Sequence, residues 1–256
     1  MQTKMSNGLG MMKKDARQTA KLPMFRQIVN ALKTEILSGN MAEHAALPSE
    51  RAVAELYEVS RMTARRALEA IETEGLAYSK GRQGRFVSPK RLDYDVSSMA
   101  NFISGAAAKG IKIEMQLLKS TQIRAEKRLA NMLSVPVGTP LYKNYRLFQR
   151  AGHATFLETE TVVAQRCAEL LVDATAQQKE QLPKQRYSPL GHTADIVIRM
   201  CAIDRDEAEL LGVMPHQAGI EQEQLIRDRT GDAFCFCRQI WRGELAQFSA
   251  RAILQD

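Results

Sequence analysis

Arg61, Thr63, Arg65 and Arg66 crowd into the first turns of one helical segment, directly behind Ser60. A guanidinium fork can take a guanine edge or a phosphate through two parallel hydrogen bonds. A threonine adds a hydroxyl and a methyl group. Residue types of this kind at the start of a helix suit reading a duplex from its major groove. Arg51, ten residues earlier, and Lys80, Arg82 and Arg85, which punctuate a glycine-containing stretch further on, extend the same chemistry. The competing reading is a solvated basic face. The elements that would carry these side chains decide between the two.

Those elements lie in LPSERAVAELYEVSRMTARRALEAIETEGL, followed by AYSKGRQGRFV. Leu47-Pro48 closes an extended segment, and the Ser49 hydroxyl can accept from an otherwise unpaired backbone N–H at a helix start. Val53, Leu56 and Tyr57 then fall on one helical face. Ser60 is a second cap, and Ala64, Leu68 and Ile71 repeat at helical spacing toward a core. Gly75 can end that helix. Gly81 and Gly84 then set up a basic hairpin bearing Lys80, Arg82 and Arg85. Helix, tight turn, capped helix and hairpin together predict a winged helix-turn-helix.

Charge supports this. The chain of 256 residues carries a formal net charge of +7. Residues 1–91 hold 16 basic and 9 acidic residues, whereas residues 92–256 hold 20 of each. The whole positive excess therefore belongs to the segment with the helix-turn-helix pattern, as a phosphate-binding surface requires.

From Leu22 to Val87 these motifs resemble the DNA-binding domain of the GntR family of bacterial transcriptional regulators. The order is MFRQIVNALKTEILSG, LPSER, VSR-x-T-x-R-x-AL, EGL and a wing ending in G-x-FV. The resemblance implies that Arg51 is directed to DNA near the motif's second helix. It implies that Arg61, Thr63 and Arg65 are recognition-helix contacts and that Gly84 is the wing glycine; Arg66, Arg82 and Arg85 complete the candidate DNA-binding set. The chain departs from the family at Met62, where many members have a polar residue, at Arg82 and Arg85 in the wing, and in EHAA before Leu47, which lacks the usual glycine.

Length and composition fit a two-domain globular regulator. Residues 1–21 read as a flexible arm, 22–88 as the DNA-binding domain, 89–95 as a polar linker and 96–254 as a second domain. No apolar run reaches the ~20 residues that span a bilayer, so a cytoplasmic protein without a membrane partner is expected. Cys167, Cys201, Cys235 and Cys237 lack C-x-x-C spacing, and the histidines are scattered. Reduced, buried thiols are expected, with no metal and no cofactor. Cys235 and Cys237, two apart in a strand pattern, should share a face.

The second half mixes periodicities. Helices are predicted over Val96–Ala108, Ala125–Leu133 and Gln165–Leu171. Strands are predicted over Ile111–Gln122, Pro140–Gln149, Ala154–Val163, Thr193–Ala202, Ile220–Arg229, Ala233–Arg242 and Leu245–Ile253. Asp204 to Glu207 is a capping box for a helix ending at Leu211. Hairpins joined to strand-helix-strand units predict an α+β domain, an antiparallel sheet with helices on one side. The order resembles the UTRA effector domain of the HutC branch of the GntR family, a fold related to chorismate lyase. It rests on the Arg146…Gly152…Glu158 hairpin, EAELLGV and WRGELAQF.

The resemblance implies a small-molecule effector pocket here. Arg146 would meet an anionic group, Glu158 would receive polar groups, and Ser188 and Trp241 would stand near positions that relatives use. A three-residue turn, Arg150-Ala151-Gly152, would keep Arg146 and Glu158 on one face. An ordinary cross-strand ion pair is the alternative reading of that pair. The resemblance as a whole implies a homodimeric repressor on a palindromic double-stranded operator. An enzyme on the lyase-like fold is the competing reading, but no nucleophile–base pair or other catalytic residue is legible in residues 92–256.

Overall fold

The computed structural model of the protein describes residues 22–80, 83–97, 102–166 and 190–251. The chain divides into two compact units, Met1–Arg91 and Leu92–Asp256. The expected arm at 1–21, Arg82, Cys167 and Ser188 lie outside the described residues.

In the first unit, α1 (Met24–Leu37), α2 (Glu50–Tyr57) and α3 (Arg61–Thr73) precede a short hairpin of β1 (Ala77–Ser79) and β2 (Arg85–Val87). Both serine caps form. Ser49 accepts from the Ala52 N–H, and Ser60 accepts from the Thr63 N–H. Glu58, in the left-handed conformation, turns the chain sharply between α2 and α3. The helices pack through Ile28, Leu32, Val53, Ala64, Leu68 and Ile71, joined by Val87 from the hairpin. The segment before Leu47 runs beside β2, with hydrogen bonds from His44 N to Val87 O and from Leu47 N to Arg85 O. In this segment His44 takes φ +62, a region open to histidine at some strain. Its Nδ1 lies 2.9 Å from the Tyr78 hydroxyl, which helps to hold the unusual backbone.

In the second unit, β3 (Leu92–Asp95) leads to α4 (Phe102–Ala108), β4 (Glu114–Arg124), α5 (Lys127–Leu133), β5 (Pro140–Arg150) and β6 (His153–Val163). After these come β7 (Thr193–Ala202), α6 (Arg205–Leu211), β8 (Ala218–Arg227), β9 (Ala233–Arg242) and β10 (Ala246–Ser249). Six strands form one sheet in the order β4-β5-β6-β9-β8-β7, all neighbours antiparallel. The α+β expectation holds. The capping box closes as read, with Asp204 and Glu207 bonding reciprocally.

Two details differ from the sequence reading. Leu92–Asp95 is not linker but a strand paired in parallel with β10; its buried residues, Leu92 and Tyr94, alternate with exposed Asp93 and Asp95. The helices do not all lie on one side. Leu147 and Ile240 pack with Ala208 and Leu211 of α6 on one face. On the other, Phe148, Phe156 and Trp241 pack with Tyr94 of β3, Phe102 of α4 and Phe248 of β10. Of the helix expected over Gln165–Leu171, only Gln165 and Arg166 lie within the described residues, in the 3-10 turn Ala164–Arg166.

Candidate nucleic-acid interface and buried polar site

The first turns of α3 present Arg61, Met62 and Arg65 outward, while Ala64, Ala67 and Leu68 turn into the core. Arg61 is exposed and forms no ion pair among the described residues. Arg65 and Arg51 are held in readiness, each by a glutamate one helical turn on: Arg65 Nε to Glu69 at 2.8 Å and Arg51 Nε to Glu55 at 2.7 Å. Both pairs are well exposed, so they are weak tethers that a phosphate or base edge can replace. Thr63 serves the cap as well, its hydroxyl 2.9 Å from that of Ser60. Arg66 is oriented differently, with its guanidinium 5.5 Å from the ring centroid of Phe25 on α1.

The wing closes through Lys80 N to Gly84 O, with Gly84 at φ +106, a conformation open to glycine alone without strain. Lys80 is exposed. Arg85 is not a wing-tip cation. It turns back into the unit, half-buried, and bridges Glu50 of α2 and Glu72 of α3, both at 3.1 Å. Two carboxylates already satisfy its charge, so it fastens the wing to the helices.

The second unit buries its charge. Arg146 on β5 stands directly opposite Glu158 on β6, as the sequence reading required, though by another route. The turn has two residues, Ala151 and Gly152, both at positive φ, and Arg150 pairs with His153. A register shift follows, because Phe148 pairs with Phe156 while Gln149 pairs with Ala154. The extra residue, Thr155, restores the face that a plain two-residue turn would have lost.

Residues facing one another across the strands line a polar row on this face. Arg146 Nη1 is 3.2 Å from Glu158 Oε1 and 2.8 Å from Glu160 Oε2. Asn144 donates to Glu160 at 3.0 Å, and Gln239 donates to Glu158 at 3.0 Å. Tyr94 accepts from Gln224 at 3.1 Å, and burial pushes its phenol up from its usual range. Glu158 is also pushed up, to about 7; burial is the larger cause, and the Arg146 charge opposes it only in part while Glu160 adds to it. Gln222 is fully buried, and neither its amide nitrogen nor its oxygen makes a well-formed hydrogen bond. The sequence reading missed Glu160, Gln222, Gln224 and Gln239. Polar residues alternating along a strand ordinarily signal a solvated face. Trp241, expected near the effector, is completely buried, stacked on Phe156 with its centroid at 3.9 Å, and donates from Nε1 to Gln239. Its link to the polar row is through that amide.

Comparison with known proteins matches residues 25–87 to "Bacterial regulatory proteins, gntR family" and residues 108–247 to the UTRA domain. The chain is 25% identical to the transcriptional repressor NagR of Bacillus subtilis, over 89% of this chain and 93% of that one. It is 28% identical to the repressor PhnF of Mycolicibacterium smegmatis, over 88% and 91%. The solved structure of PhnF from Mycobacterium smegmatis superposes with a TM-score of 0.61 at 24% identity, covering 89% of this chain and all of that one.

Proposed function

Because the chain belongs to the GntR family of bacterial regulatory proteins, in the branch that carries a UTRA domain, it is a DNA-binding transcriptional regulator, and we propose that it acts as a homodimeric cytoplasmic repressor released from a palindromic operator by a small effector. Arg61, Arg65 and Thr63 read base edges, while Arg51, Lys80 and the wing around Gly84 meet phosphates, which supply most of the affinity and its salt dependence. The effector sits over the polar row of the six-stranded sheet and favours the dimer arrangement whose recognition helices no longer match half-sites about one helical turn apart. No step in this cycle requires turnover of the effector.

Gln222 is the observation that carries the sensing half of the reading. A buried primary amide whose polar atoms make no well-formed hydrogen bond, only a loose contact with the Tyr94 hydroxyl, costs up to about 1–3 kcal/mol, and a ligand that both donates and accepts would recover it. An anionic group could reach Arg146 only by exchanging with Glu158 or Glu160. The effector therefore needs hydroxyl or amide chemistry beside any charge, and sugar phosphates and amino-acid catabolites meet that requirement.

Thermal-shift screening of the full chain against such metabolites identifies the effector. Gln222→Leu then tests the site. The variant should be at least as stable as the parent, because an unsatisfied amide is removed, and should bind operator normally. Its response to the effector should weaken roughly tenfold or more, in line with one lost pair of hydrogen bonds. A normal response would move the effector elsewhere.

A further inference from the structure

Three side chains of metal-ligand type converge beside the polar row. Cys235 and Cys237 lie two apart on β9, so both thiols project to one face, and their Sγ atoms are 3.6 Å apart. Glu160 stands directly opposite Cys237 on the neighbouring strand β6. A Glu160 carboxylate oxygen and the two sulfurs all lie within 4.8 Å of one another, and all three residues are buried. We propose that Cys235, Cys237 and Glu160 form a binding site for a thiophilic divalent cation of the zinc class.

The bite of the two thiols is the first argument. Two zinc–sulfur bonds of about 2.3 Å meeting at a tetrahedral angle place their sulfurs ~3.8 Å apart. The observed separation is close to that and far from the ~2.05 Å of a disulfide. Rigidity is the second argument. The three residues come from two adjacent central strands, whose ladder fixes their backbones before any ion arrives.

Charge balance is the third. Two thiolates and a carboxylate bring three negative charges to a dication, and the surplus faces Arg146, whose Nη1 is 2.8 Å from Glu160 Oε2 and is shared with Glu158 at 3.2 Å. Asn144 donates to that same oxygen at 3.0 Å. Both contacts orient the carboxylate in the way that outer partners position metal ligands. Binding converts two thiols to thiolates and releases their two protons to solvent. The fourth tetrahedral position is left for water or an oxygen of another molecule. This inference does not depend on the sensing reading, since the ion would bind with or without an effector.

The test uses the full chain, reduced and stripped of metal with a chelator. One equivalent of Co(II) should produce a sulfur-to-cobalt charge-transfer band together with the strong visible bands of a tetrahedral centre, and Zn(II) should displace both. X-ray absorption on the zinc-loaded protein should show two sulfur neighbours at about 2.3 Å with lighter atoms completing the shell. Cys235→Ser and Cys237→Ser should each abolish the charge-transfer band, Cys201→Ser should keep it, and Asn144→Ala should weaken zinc binding about 10- to 100-fold. Absence of a band in the parent protein overturns the proposal, as does a zinc shell with fewer than two sulfurs. The same holds for a band that survives Cys237→Ser or disappears with Cys201→Ser. Should the serine variants fail to fold, the sulfur count in the parent protein decides.

Discussion

The two units use arginine in opposite ways. In the first, Arg61 is exposed, and Arg51 and Arg65 rest on exposed glutamates one turn along their own helices. In the second, Arg146 is buried and clamped between carboxylates from the next strand. An exposed tether contributes almost nothing to folding and gives way easily to another anion. A buried clamp is part of the fold, and removing one member strands the others. The first arrangement suits a surface that exchanges one set of anions for another on binding. The second suits a site whose geometry must persist until something specific disturbs it.

The contrast can be broken most directly by truncation. Arg146→Ala leaves Glu158 and Glu160 buried side by side without their cation, and the second unit should lose about 3–5 kcal/mol of stability. Arg65→Ala should leave the melting temperature of the first unit unchanged within error. Thermal melting of each variant followed by circular dichroism, with denaturant unfolding followed at Trp241 for the second unit, checks both. Similar melting of Arg146→Ala and the parent would mean that the clamp is no tighter than the tethers.

Glu158 gives the clamp a pH signature. Its folded-state pKa of about 7 lies above the ordinary 4.5, so between those values the folded form holds a proton that the unfolded chain has released. The associated stability is fully present below about pH 4.5 and is lost as pH rises through about 7, with a slope of at most ~1.4 kcal/mol per pH unit. Glu158→Gln cannot ionise, and in metal-free protein it should flatten the fall in melting temperature between pH 5 and pH 7. An equally steep fall in the variant would assign it to other groups.

How much of each unit could be read from the sequence follows from the same contrast. Ser49 and Ser60 cap helices through contacts three residues away, so α2 and α3 are legible in a short window. The sheet is built from distant partners. Nothing near Leu92–Asp95 announces a strand, because its partner Ala246–Ser249 lies more than 150 residues along the chain. The facing of Arg146 and Glu158 was anticipated, yet through a three-residue turn. The actual device, a two-residue turn corrected by a bulge at Thr155, gives the same parity, which the hairpin sequence alone does not distinguish. Glu160, Gln222 and Gln239 escaped because burial of a polar strand face depends on what covers it. The ion pairs of Arg85 escaped for a related reason: its glutamate partners lie 35 and 13 residues upstream.

On the DNA side, Arg61→Ala should weaken binding to a selected operator roughly 10- to 100-fold and flatten the preference among base changes at one position. Fluorescence anisotropy against the operator and a scrambled duplex of equal length measures both. Equal binding of parent and variant to both duplexes would show that α3 does not read bases.

The smallest effect separates two basic residues that the sequence treats alike. Arg85 and Lys80 belong to the same basic hairpin, and charge counting predicts that neutralising either should lower the slope of log K against log salt by about one unit. The structure splits them. Lys80 is exposed beside the wing turn, whereas Arg85 is held by Glu50 and Glu72 and has no charge to spare for a phosphate. Lys80→Gln should therefore reduce the slope and leave stability alone. Arg85→Gln should leave the slope close to that of the parent and cost about 1–2 kcal/mol of folding stability, because two half-buried charge-assisted contacts vanish together. Loss of that anchor would also loosen the wing, so a modest loss of affinity common to all sequences is compatible with an unchanged slope. Salt titrations of operator binding, paired with melting of the same samples, resolve the cases. A slope reduced by one unit in Arg85→Gln at unaltered stability would show that this side chain swings from its glutamates to the phosphates when the protein meets DNA.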